Sequence, residues 1–219
     1  MRGRAILFSE MTPAPEWEDK FNHWYDTEHI PIRVGLHGFV SAQRYRVADS
    51  LNYLAVYEMT DLAALRTAAY QAIKQNPSEE TAWMLRNVTG FTRYLCEEIS
   101  CAGDTAPQAI DTAVLYPVWF DVPQAHLQEF DDWYEQDHVP LLLECPQWRA
   151  VRRFDVKDGE PGRYNRLALH YLDDAAALES PARAKARATP WRERLAAQPW
   201  FKGTYGLFQR HGARQLPPL

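Results

Sequence analysis

Phe21-Asn22-His23-Trp24-Tyr25-Asp26-Thr27-Glu28-His29-Ile30-Pro31 is answered 109 residues later by Phe130-Asp131-Asp132-Trp133-Tyr134-Glu135-Gln136-Asp137-His138-Val139-Pro140. The register holds without a gap over 44 positions, 4–47 against 113–156. Within it Phe21/Phe130, Trp24/Trp133, Tyr25/Tyr134, His29/His138, Pro31/Pro140, Arg44/Arg153 and Val47/Val156 are identical. Asp26/Glu135, Glu28/Asp137, Ile30/Val139, Phe39/Trp148 and Tyr45/Phe154 are conservative pairs. A repeat of this length means two copies of one small domain, not a solenoid array.

Outward from the motif, each half predicts the order β-α-β-β-α-β. In the first half, strands fall at 5–11, 39–47, 53–60 and 89–99, with helices at 16–34, 62–75 and 79–87. Asp61 is a good N-cap for the second of these helices, which stops at Asn76-Pro77. The second half repeats the order at 112–120, 123–143, 148–156, 164–172, 174–188 and 200–210, with a hairpin loop four residues longer at 157–163. The fold class expected is α+β: two ferredoxin-like repeats packed sheet to sheet as a pseudo-dimeric α/β barrel. The domains expected are 1–100 and 112–210, a linker at 101–111, and an extended or loosely ordered tail at 211–219.

The composition fits a globular protein, with 46% hydrophobic and 13% aromatic residues. A net charge of −5 without Lys/Arg-rich runs argues against nucleic acid as the main partner. No stretch approaches the roughly 20 apolar residues of a membrane span. The apolar run after Met1 is too short for a signal peptide. Cys96, Cys101 and Cys145 form no even framework and no CxxC pair. A cytoplasmic protein with a small-molecule partner is expected, as a monomer or a homodimer of the fused pair.

The string Trp-Tyr-Asp-x-Glu-His-x-Pro, with this arrangement of elements, resembles the EthD-like family of the dimeric α/β-barrel superfamily. The resemblance spans roughly 4–99 and 112–210, and members usually carry one copy and pair as homodimers. It implies a barrel of two four-stranded sheets, with pockets inside the barrel or between sheet and helices. Relatives include cofactor-free monooxygenases, muconolactone-type isomerases, polyketide-tailoring dehydratases and decarboxylases, and haem-binding branches. Fold therefore follows from the resemblance more firmly than reaction.

On a helical wheel at 100° per residue, Phe21, Trp24, Tyr25, Ile32 and Leu36 share one face. Glu28 falls within this stripe and His29 at its edge. In the second half Phe130, Trp133, Tyr134 and Leu141 form the stripe, with Asp137 inside it and His138 at the edge. Asp26 and Glu135, three residues before each histidine, are placed to hold its ring. A carboxylate-oriented histidine beside an apolar pocket suits general acid–base chemistry, worth about 10²- to 10⁴-fold in rate. The expected catalytic set is thus His29, Glu28 and Asp26 with the equivalents His138, Asp137 and Glu135. Trp24, Tyr25, His23, Arg33, Trp133 and Tyr134 are expected to bind substrate. The extra polar groups His23, Arg33 and His37 point to the first repeat as the active one.

A second reading of the same residues is architectural. Pro31 and Pro140 remove a backbone N–H, and His and Glu would then tie down an irregular helix end. Metal binding by His23, Asp26 and His29 is disfavoured because histidines six apart on a helix diverge by about 120°. Haem ligation by His29 or His138 has no other support in the sequence, and no cofactor is expected. Arg44 and Arg153 are candidates for a carboxylate ligand or for ion pairs. The Ala-Arg run 181–187 reads as a solvated helix face. The reactions expected are dehydration, decarboxylation or enolisation of a small, partly apolar and aromatic or polyketide-like molecule. Cofactor-free oxygenation and non-catalytic ligand binding are the alternatives.

Overall fold

The computed structural model describes residues 2–218. Its contacts divide the chain into two compact units. Unit 1 comprises Met1–Glu97, Lys157–Pro161 and Gln209–Leu219; unit 2 comprises Glu98–Val156 and Gly162–Phe208.

Unit 1 is built on strands β1 (Ala5–Met11), β2 (Phe39–Val47), β3 (Tyr53–Met59) and the first part of β4 (Arg93–Gly103). They lie in the order β4-β1-β3-β2, antiparallel where β1 meets β3 and β4 and where β2 meets β3. Helix α1 joins β1 to β2. It has three parts: an α-helical Glu18–Trp24, a π turn Tyr25–His29, and an α-helical Ile30–Val34. Helices α2 (Ala68–Gln75) and α3 (Glu79–Asn87) follow β3. Thr67 and Ser78 are their N-caps, each hydroxyl accepting a backbone N–H. The core is the aromatic stripe of α1, including Phe21, Trp24 and Tyr25, packed on Tyr53, Tyr57, Tyr70 and Met84.

Unit 2 repeats the plan with β5 (Val114–Phe120), β6 (Trp148–Glu160) and β7 (Arg166–Leu172), then a two-residue β8 (Thr204–Tyr205). Their order is β6-β7-β5-β8. Helix α4 again has three parts: Leu127–Trp133, a π turn Tyr134–His138, and Val139–Leu142. Helices α5 (Pro181–Ala186) and α6 (Pro190–Ala196) are capped by the Ser180 and Thr189 hydroxyls.

Several boundaries differ from the sequence expectation. Strand β4 continues to Gly103, so residues 101–103 are strand rather than linker, and β6 continues to Glu160 through the expected hairpin loop. Residues 62–75 do not form one helix: a 3₁₀ turn, Leu62–Arg66, precedes α2, because Thr67 adopts an extended conformation and caps it. The expected loose tail is largely strand β9 (Phe208–Gln215), which runs beside β2 in unit 1. The Gln43 side chain donates to the carbonyls of His211 and Gly212 at 3.1 and 3.2 Å. Nothing local marks this polar segment as a strand. It is held by the β2 edge, which pairing and the Gln43 amide satisfy together.

The π turns correct the wheel. The amides of Ile30 and Val139 donate to carbonyls five residues back, at Tyr25 and Tyr134. A π turn adds a residue to the helix and rotates everything after it. Ile30 and Val34 are therefore buried, while Ile32, placed on the stripe by a straight 3.6-residue wheel, is 43% exposed. In α4 the buried residues are Val139 and Leu142, and Leu141 is only partly covered.

Candidate functional site

The same π turn brings each histidine onto the tryptophan five residues earlier. The ring centroids of His29 and Trp24 are 4.2 Å apart, and those of His138 and Trp133 are 4.6 Å apart. A straight helix would separate residues five apart by about 140°. The repeated string thus encodes a buckled helix that lays an imidazole on an indole.

The carboxylates of the string go elsewhere than expected. Asp26 accepts from Arg44 Nη1 at 2.9 Å, and Glu135 accepts from Arg153 Nη1 at 2.9 Å. Neither orients its histidine. Arg44 and Arg153 are almost fully buried, with guanidinium carbons 4.6 and 4.7 Å from the Tyr25 and Tyr134 rings. Asn22 completes the Arg44 pairing and Asp131 that of Arg153. Glu28 accepts from the Ser78 and Thr81 hydroxyls at 2.5 and 2.8 Å, and Asp137 from Thr189 at 2.6 Å. Ser78 and Thr189 are the N-caps of α3 and α6, so the second carboxylate of each motif fastens a neighbouring helix.

Beyond these shared contacts the units diverge. Unit 2 contains a cavity of about 360 Å³ between the face of its sheet and its helices. Its lining includes Tyr116, Val118 and Phe120 from β5, Trp148 from β6 and His170 from β7. Helix α4 contributes Trp133, Tyr134, His138 and Leu142. Equivalent positions in unit 1 carry larger or differently placed groups. Tyr57 stands opposite Ala42 on the sheet as His170 stands opposite Val151. Counting from the helix caps, Tyr70 replaces Arg183, Ile73 replaces Ala186, and Thr81 replaces Arg192. Tyr57 and Tyr70 are buried, and Tyr70 stacks on Phe39 at 5.9 Å. Thr81 accepts the Trp24 indole N–H at 2.9 Å, whereas the Trp133 indole N–H is buried with no protein partner.

None of the first-repeat candidates lines this cavity. His29 is 5% exposed, with Nδ1 buried and without a partner, and Arg33 donates to its carbonyl at 2.8 Å. Burial first, then Arg33 and Arg44, hold its pKa well below the ordinary value. His23 and His37, which drew attention to this half, are exposed. Among the described residues no group of three or more His, Cys, Asp or Glu side chains is placed to hold a metal ion, the His23–Asp26–His29 set included.

In unit 2 the hydrogen bonds fix the tautomers. His138 Nδ1 lies 3.3 Å from the Ala186 carbonyl, which only accepts, so this nitrogen carries the proton. Burial lowers the His138 pKa to about 4, opposed by that hydrogen bond and assisted by Arg192. The ring is neutral at pH 7, with a lone pair on Nε2 and no protein group bonded to it. His170 is arranged the other way round. The Trp148 indole donates to its Nδ1 at 3.2 Å, so its proton sits on Nε2, 3.1 Å from the Tyr134 hydroxyl. That hydroxyl accepts from His170 and keeps its own proton for an acceptor in the cavity. Burial raises the Tyr134 pKa, so it stays a phenol. Burial also holds His170 neutral, with the neighbouring His138, Arg183 and Arg153 acting in the same direction. Sequence reading missed His170; the signal was a histidine inside the apolar strand Leu167–Leu172, aligned with a tyrosine in the other repeat.

Arg183, Arg187, Arg192 and Lys202 also line the cavity. Of the run 181–187, Lys185 and Arg187 are exposed as a solvated face would be, while Arg183 is partly buried against the cavity, with Arg187 at its edge.

No protein-family model matches the chain, and comparison with curated proteins finds no match. Solved structures do match along its whole length. An anthrone oxidase-like protein superposes with a TM-score of 0.69 at 14% identity, covering 97% of this chain and 93% of its own. A candidate monooxygenase from Fusobacterium nucleatum subsp. nucleatum gives 0.63 at 12%, covering 99% and 96%. One from Lactobacillus acidophilus gives 0.60 at 7%, covering 97% and 96%. At these identities the likeness is one of fold: ferredoxin-like units of the kind found in dimeric α/β-barrel proteins. No helix among the described residues is long and apolar enough to cross a membrane.

Proposed function

We propose that unit 2 houses a cofactor-independent acid–base active site for a small, flat, partly apolar molecule. The observation that carries this reading is the pairing of His138 with Tyr134 on one cavity wall. One is a neutral imidazole with a free Nε2 lone pair, the other a phenol whose proton is unused. His138 Nε2 takes a proton from an activated C–H or O–H of the substrate. The oxyanion that develops accepts the Tyr134 hydroxyl and the otherwise unpaired Trp133 indole N–H. His170 and Trp148 are positioning residues that set which way the Tyr134 proton points.

The anion so formed admits two outcomes. Return of the proton elsewhere, or loss of a leaving group, makes the protein an isomerase or lyase of the dehydration, decarboxylation or enolisation type. This agrees with the resemblance of the Trp-Tyr-Asp-x-Glu-His-x-Pro string to the EthD-like family. Reaction of the anion with dioxygen makes it a cofactor-free monooxygenase, the reading that the names of its structural neighbours favour. In both, the first repeat is the structural partner and its His29, Glu28 and Asp26 take no part in chemistry. The motif's acidic residues in unit 2, Asp137 and Glu135, act on helix packing rather than on protons.

Proton abstraction is testable before the substrate is known. In deuterium oxide the protein is expected to exchange the acidic C–H bonds of 2-tetralone, an enolisable bicyclic ketone. The substitution His138→Gln should slow the exchange by about 10²-fold or more with unchanged melting, and His29→Gln should leave it intact. Exchange surviving in His138→Gln would defeat the proposal. Oxygen uptake during turnover then separates oxygenase from isomerase.

A further inference from the structure

The cationic wall of the unit 2 cavity is only partly matched in unit 1, where Lys74 stands at the Arg187 position but Tyr70 and Thr81 at those of Arg183 and Arg192, and no carboxylate is among the cavity's lining residues. Arg183 and Arg192 are partly buried in the wall, while Arg187 and Lys202 stand exposed at its edge. Among the described residues none of the four has an ion-pair partner within 4.0 Å. Arg183 is bonded to the Leu178 carbonyl at 2.6 Å and Arg192 to the Arg187 carbonyl at 3.3 Å. In a chain with a net charge of −5, this is a local concentration of positive charge. The arginines act on one another: burial first, then Arg187 and Arg183, lower the Arg192 pKa. Like charges held together beside a low-dielectric cavity cost stability that a bound anion would return.

Where unit 1 has Tyr70 and Thr81, unit 2 has Arg183 and Arg192. Loss of the threonine hydroxyl also strips the Trp133 indole N–H of the partner that Trp24 keeps, and Trp133 is 2% exposed. A buried, unpaired donor and four unpaired cations therefore border one space, whose remaining lining is largely aromatic, from Tyr116, Phe120, Trp148 and Phe201. The acceptor on that wall is His138 Nε2. Such a site recognises a flat ring that carries its own negative charge.

Resting on the acid–base reading above, we infer that the natural ligand is an aromatic carboxylate whose ionised group is held by Arg183, Arg187, Arg192 and Lys202 while its ring lies among the aromatic side chains. Arginine matches the two oxygens of a carboxylate with two parallel N–H donors, which a point charge does not. The anchored carboxylate fixes the ring in register with His138, so charge recognition and proton transfer use different atoms of one molecule.

The test is calorimetric titration of the whole protein with 2-naphthoate and with 2-acetonaphthone, which has a similar shape and no charge. 2-Naphthoate is expected to bind about tenfold tighter or better at low salt and to weaken as sodium chloride is added, while 2-acetonaphthone is insensitive to salt. Arg192→Gln and Arg187→Gln should each weaken 2-naphthoate severalfold without changing 2-acetonaphthone, and Arg192→Lys should recover part of the loss. Equal, salt-independent binding of the two probes overturns the carboxylate site and leaves the apolar acid–base cavity standing. Binding of neither overturns both. The salt comparison on the unmodified protein stands even where an arginine variant fails to fold.

Discussion

His138 and His29 occupy the same position in the same eleven-residue string, yet their surroundings assign them opposite tasks. The Ala186 carbonyl holds His138 Nδ1–H, and the ring is part of the cavity lining. His29 is enclosed by Trp24 and Tyr25, with Arg33 across its carbonyl. Because the His138 pKa is lowered to about 4, the basic form is already present at neutral pH. The rate of 2-tetralone exchange should therefore rise as pH climbs through about 4 and stay level from there past pH 7. A profile still rising at pH 7 would show a base other than this imidazole. The string itself was legible from sequence, as were its buried aromatics. Its hydrogen bonds were not, because the partners of Asp26 and Glu135 lie on β2 and β6 and no local spacing predicts which strand arginine reaches them.

At the scale of elements, the decisive feature is the π turn in α1 and in α4. A wheel of uniform pitch placed Ile32 in the core and the histidines at its edge, and one extra residue per turn reversed both assignments. Most strands were readable because apolar runs and Asn-, Gly- and Pro-containing turns bracket them, but the strand expected at 200–210 is only the two-residue β8 and the start of β9. Strand β9 was not readable, since its polar residues become a strand only against the β2 edge. The second acid of each motif joins the buckled helix to the cap of the next: Glu28 to Ser78 and Thr81, Asp137 to Thr189. Replacing Glu28 by Ala should cost about 1–2 kcal/mol of unfolding free energy, the value of losing an acceptor shared by two hydroxyls. Asp137→Ala should likewise lower the urea midpoint while retaining most of the exchange activity. An Asp137→Ala protein of normal stability that exchanges no protons would mean that this carboxylate belongs to the chemistry after all.

For the molecule as a whole, three of the buried or partly buried histidines, His29, His138 and His170, have pKa values lowered first of all by burial. The sign of the linkage follows directly. Below the ordinary histidine value near 6.5 the unfolded chain takes up protons that the folded chain refuses. Stability is then constant above about pH 6.5 and falls progressively toward pH 4. His138 alone accounts for up to about 3.5 kcal/mol of this loss, at 1.4 kcal/mol per unit between 6.5 and about 4. Urea unfolding at pH 7.5 and pH 5.0 should show the lower midpoint at pH 5.0; equal midpoints would mean that these rings are solvated. The two units share an aromatic scaffold, and where unit 1 has Tyr57, Tyr70 and Thr81, unit 2 has His170, Arg183 and Arg192 beside its cavity. Sequence comparison of the halves exposed the scaffold, but it weighted His23, Arg33 and His37, none of which lines the unit 2 cavity on which the proposed site rests. The informative differences were small-for-large and charged-for-aromatic exchanges at positions already inside the core.

If unit 2 meets the ligand through His138 Nε2, nitrogen-15 NMR of the imidazole rings, recorded at pH 7 while 2-naphthoate is added, will register it. Free His138 should be the neutral Nδ1–H form, and its Nε2 resonance should shift on binding while the His29 signals stay in place. Movement of His29 with His138 unchanged, or a His138 ring protonated at both nitrogens before any ligand is added, would place the ligand elsewhere.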